Sequence, residues 1–131
     1  MAERSAVVPA GSEYQYEKLH FAPGLRVGDT LHISGVIGVG ADGSCSDDPE
    51  TQFGDAFAGV AKVLEAAGGS MDDIVEMTTF HVGLQANMRT FIKVMKQHIT
   101  SEPWPAWTAI GISELAVPGG LVEIRVTADL S

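Results

Sequence analysis

One cysteine, Cys45, stands among 131 residues, so no intramolecular disulfide can form and no cluster of thiolates can hold a metal. No apolar run comes near the roughly 18 to 20 residues that cross a bilayer, which argues against a membrane partner. The opening Met1-Ala2-Glu3-Arg4-Ser5 is followed by no apolar core of the kind that marks a secretion signal. Positive charge is also scarce. Eight Lys and Arg face 17 Asp and Glu, a formal net charge of −9, and a surface of that sign repels phosphate backbones. Nucleic acid is therefore a poor default partner, and a cytoplasmic location is the simplest expectation. The length suits one hydrophobic core, and with 45% hydrophobic and 19% charged residues the composition is that of a globular chain. No internal repeat or linker divides it, so residues 1–131 are read as a single domain.

Several familiar chemistries lack their residues. His20, His32, His81 and His98 form no pair at the spacing of a helical zinc motif, and neither a metal nor a cofactor is expected. The glycines of Gly35-Val36-Ile37-Gly38-Val39-Gly40 follow a strand, but no helix opens at their end and no Lys-Ser or Lys-Thr pair completes a phosphate loop. No Gly-x-Ser-x-Gly elbow occurs. His32 and His81 lie in β-prone runs and read as packed, hydrogen-bonded imidazoles.

The local patterns are stronger. Leu25-Arg26-Val27 and Thr30 to Ile37 flank Gly28-Asp29 and predict an antiparallel hairpin. From Pro49 to Ala67, Phe53, Phe57, Val60, Leu64 and Ala67 recur every three or four residues, the period of one helical face; Asp48 is placed to cap it and Gly68-Gly69 to stop it. Ser70-Met71-Asp72-Asp73 resembles a capping box before a strand from Ile74 to Val82. Met88, Phe91, Met95 and Ile99 mark a second helix beginning near Asn87. Strands follow over Trp107 to Ile112 and Leu121 to Asp129. Both helices are amphipathic and should cover one face of a mixed sheet. The other face then needs a cover, and copies of the same chain are the simplest one.

Glu123 interrupts the last strand's apolar composition and shares a face with Arg125 and Asp129. It is either a solvated or ion-paired residue or a carboxylate lining a cleft between subunits, where it can orient water or take a proton.

Four ordered segments, Arg26 to Gly35, Val63 to Val75, Pro105-Ala106-Trp107-Thr108 and Leu121-Val122-Glu123-Ile124, together resemble the Rid (YjgF) family over about residues 19 to 130. The resemblance implies an α+β, chorismate-mutase-like fold, two helices on one face of a mixed sheet, and a homotrimeric barrel with small-molecule sites between subunits. It also implies cofactor-independent hydrolysis of imines or enamines, such as 2-aminoacrylate. In those deaminases the third residue of the Pro-Ala-x-Ser/Thr motif is an arginine that clamps the substrate carboxylate; here it is Trp107, which has one donor and no charge. Phe21 stands for a tyrosine of the family and Ile92 for an asparagine.

Ser34, Glu123 and the backbone around Ala109 match the family's substrate-fixing residue, water-positioning glutamate and substrate-contacting segment. With Trp107 and Phe21 they are the expected site residues, and Arg125 and Arg26 are the cations available to replace the lost clamp. The expected ligand is less anionic, larger or more aromatic than a short imino acid. Trp107 is placed either to stack on such a ligand or to plug the cleft. A hydrolase or deaminase-like enzyme is the first reading and a non-catalytic binding or sensing trimer the second. A ribonuclease or translation inhibitor fits the acidic charge least.

Overall fold

The computed structural model describes residues 3–131 and shows a six-stranded mixed sheet with helices packed on one face. The strands are β1 (Arg4–Val7), β2 (Gly24–Val27), β3 (Thr30–Ile37), β4 (Ile74–His81), β5 (Ala106–Gly111) and β6 (Val122–Asp129), and the helices are α1 (Glu13–Glu17), α2 (Pro49–Ala66) and α3 (Leu84–His98). The strand order is β1-β2-β3-β6-β4-β5, so the last strand is inserted at the centre. It pairs antiparallel with both β3 and β4, while β5 runs parallel to β4 and forms one edge.

The hairpin forms as its residues dictate: Val27 pairs with Thr30, and Gly28, at φ 60°, takes the left-handed conformation that a two-residue turn requires and that glycine adopts without steric cost. The Asp48 carboxylate accepts the Thr51 amide at 3.2 Å at the head of α2. Ser70 Oγ accepts from the Asp72 amide while the Asp73 carboxylate accepts from the Ser70 amide, closing the expected box around a single 3-10 turn, Met71–Asp73.

α3 begins at Leu84, one turn earlier than the apolar stripe suggests, because Gly83 at φ 75° provides the break. Two elements carry no amphipathic signal: β1 is short and mostly exposed, and α1 buries no residue. His32 is exposed rather than packed, since it alternates with the buried Leu31 and Ile33.

The core lies between the sheet and the two long helices. Leu31, Ile33, Met77, Val122, Ile124 and Val126 meet Phe53, Phe57, Val60, Leu64, Phe91 and Val94. Each fully buried apolar side chain contributes about 1.5 to 3 kcal/mol relative to exposure. Phe91 is the hub, edge-on to Phe53 at 5.4 Å and tilted against Phe57 at 5.6 Å. The alternate residues Glu123, Arg125, Thr127 and Asp129 of β6 point away from α2 and α3. No helix among the described residues is long and apolar enough to cross a membrane.

Candidate functional site

A cavity of about 450 Å³ opens between the segment preceding β2, strand β3 and helix α2, and both Phe21 and Ser34 line it. Ser34 Oγ donates to the Ala22 carbonyl at 2.6 Å, which ties β3 to the residue next to Phe21. The chain reaches Phe21 through His20, whose φ of 61° puts a non-glycine residue in the left-handed region at a cost of about 1 to 2 kcal/mol.

Glu123 does not itself line this cavity but lies against Gly35, which does. It is half-buried, and it pairs with Ile37 on β3 and Phe80 on β4. Its carboxylate lies against Gly35, where a β-carbon would stand 2.5 Å from Glu123 Oε2. Only glycine leaves room for it. Gly35 also lines the cavity and is the site residue that side-chain chemistry misses; its signal is a glycine inside a β-prone run, which marks a close approach or a bulge. A register shift between Ile33 and Val36 provides that irregularity. No ion pair among the described residues engages Glu123.

Trp107 stands elsewhere. In register with Met77 on β4, it faces α3, on the side of the sheet opposite Glu123. Its Nε1–H donates to Thr79 Oγ1 at 2.9 Å, and its ring lies 5.8 Å from Phe91. Thr79 Oγ1 is also 2.7 Å from Nε2 of the buried His81. With two lone pairs and one hydrogen, Thr79 Oγ1 accepts from the indole and shares a further hydrogen bond with His81 Nε2. His81 Nδ1 has no partner among the described residues. Burial pushes the His81 pKa below its usual value, which agrees with a neutral ring. The indole also walls a second, apolar cavity of about 600 Å³ with Met77, Met95, Ile99, Trp104 and Pro105, so it both fills space and lines it.

The expected site residues therefore form two groups. Phe21, Ser34 and Glu123 gather around β3 and β6, whereas Trp107 and the half-buried Ala109 lie on the edge strand β5. β3 and β5 are three strand spacings apart, about 14 Å, and β6 and β5 two, about 10 Å; with Trp107 and Glu123 on opposite faces of the sheet, one small ligand does not touch both groups within a chain. Arg125 is exposed on the face of Glu123, opposite Thr78. Arg26 is occupied at the hairpin, its Nε donating to the Gly28 carbonyl at 2.9 Å and its guanidinium 3.4 Å from Asp29. Among the described residues no three of His, Cys, Asp and Glu converge on a point where a metal would sit.

Comparison with known proteins matches residues 16–130 to the endoribonuclease L-PSP family. The RutC family protein YjgH of Escherichia coli is 36% identical over 128 residues, covering 98% of this chain and 96% of that protein. A solved structure of protein YjgH superposes with a TM-score of 0.87 at 35% identity, over 98% of this chain and 97% of that one. A 2-iminobutanoate/2-iminopropanoate deaminase of Dermatophagoides farinae is 29% identical over 101 residues, 72% of this chain and 74% of that protein. With a family match that spans nearly the whole length, and a fold and sequence that agree with the same relative, the chain belongs to the Rid (YjgF) family.

Proposed function

We propose that this protein is a cofactor-independent hydrolase of deaminase type, acting on a small C=N-containing metabolite in a site closed between the subunits of a homotrimer. The observation that carries this reading is the Glu123 carboxylate, engaged in no ion pair among the described residues and seated on Gly35, which lines the cavity that holds Phe21 and Ser34. A carboxylate so placed can orient water and take its proton as oxygen adds to an imine carbon. Loss of ammonia from the resulting carbinolamine then leaves a carbonyl. The free β5 edge of a neighbouring chain, with Trp107 and Ala109, supplies the opposite wall.

Trp107 carries no charge, and its single N–H is already given to Thr79, so small imino acids lose the forked contact that would hold their carboxylate. Turnover of 2-aminoacrylate should accordingly be absent or roughly thirty- to a thousandfold below that of an arginine-containing relative, the equivalent of about 2 to 4 kcal/mol. Measuring ammonia release from both proteins checks this; equal turnover would mean that another cation holds the acid. The packing of the indole against Phe91 and Thr79 also favours a second reading, a trimer that holds a ligand without converting it. A bound ligand recovered unchanged after prolonged incubation would select that reading.

A further inference from the structure

We propose that Lys62 is the anion-holding residue of the cavity formed by Phe21 and Ser34, and that its ligand is a carboxylate with an aromatic or branched apolar body. This rests on the reading of that cavity as the ligand half-site. Asp55, Ala58, Gly59 and Lys62 all line it, and their spacing of three and four puts them on one stripe of α2. Gly59 brings the helix close to β3, since a β-carbon there would stand 2.6 Å from Val36 Cγ1. The stripe is thereby held against the strand that carries Ser34.

Among the described residues Lys62, an exposed side chain, is the one basic residue lining the cavity, and the ion pairs engage Arg26 and Lys93 instead. Asp55 lies two turns earlier on the helix, about 10 Å along its axis, and no ion pair among the described residues engages the ammonium. The cavity is thus negative at one end and positive at the other. Phe21, Pro23, Val36, Val39 and Val63 supply apolar wall, and the edge strand that would close the site brings an uncharged indole. The cation that an anion entering this site meets is Lys62 on α2. An ammonium is a point charge without the directional fork of a guanidinium, so it holds a carboxylate weakly unless an apolar body adds contact. A three-carbon acid has no such body.

The test is calorimetric titration of the wild type, Lys62→Met, Lys62→Arg and Phe21→Ala with phenylpyruvate and with its neutral counterpart phenylacetone, at low ionic strength. Lys62→Met should weaken phenylpyruvate by about tenfold, the scale of one charge-assisted hydrogen bond, and leave phenylacetone unchanged. Lys62→Arg should retain the acid, and Phe21→Ala should weaken both ligands. If Phe21→Ala weakens both while Lys62→Met weakens neither, the cavity binds ligand but Lys62 does not hold the anion. If the wild type binds neither compound, or Phe21→Ala changes nothing, the half-site reading falls and the proposal with it.

Discussion

Trp107 joins three features of this protein: a motif position that carries an arginine in the deaminases the chain resembles, a hydrogen bond to Thr79, and a ring contact with Phe91. Its position in the Pro-Ala-x-Thr motif was legible in the sequence. Its partners were not, because the parallel register of β4 and β5 is non-local and one strand's alternation does not say which neighbour meets it. The variant Trp107→Arg removes the indole and introduces a forked donor. By analogy with aromatic truncations in cores, the lost packing costs about 3 to 5 kcal/mol, and Thr79 Oγ1 loses the indole donor. If the fold and the proposed trimer survive this, the variant should bind pyruvate or 2-oxobutyrate weakly and the wild type should bind neither. Calorimetry on both proteins checks it; a folded, trimeric variant that binds neither acid would show that the indole does not occupy the clamp position.

At the scale of elements, legibility followed the length of the amphipathic pattern. α2 and β6 were readable because each commits several consecutive residues to one buried face. β1 and α1 were not, since the first has little buried surface and the second none, yet the loop after α1 supplies Phe21 to the cavity. Gln52 is a similar case. It is fully buried in α2; its amide nitrogen donates to the Ser46 and Gly119 carbonyls, and its amide oxygen accepts from Leu121 at 2.6 Å. It therefore fastens two loops and the entry to β6, two residues before Glu123. Nothing near Gln52 in the sequence announces partners at such separations. Gln52→Leu keeps the volume and strands three backbone groups, at about 1 to 3 kcal/mol for each left buried without water. Urea unfolding should show a loss of at least about 2 kcal/mol, and a loss under about 0.5 kcal/mol would mean that the loops are held by other contacts.

For the whole molecule, the sequence indicated a mixed sheet with helices on one face but not the insertion of β6 between β3 and β4, which no local pattern encodes. That insertion places Glu123 in mid-sheet, between Ile37 and Phe80 on the face that α2 and α3 leave uncovered. Ile110, in register with Phe80, is 42% exposed on the same face. It also leaves the two groups of site residues apart within one chain. Both observations have one remedy in association of identical chains, which would cover this face and bring the β5 edge of one copy to the cavity of the next. Sedimentation equilibrium at micromolar concentration tests this most directly. The proposed intersubunit site predicts a single species of three times the chain mass, whereas a protein that remains monomeric throughout would contradict it.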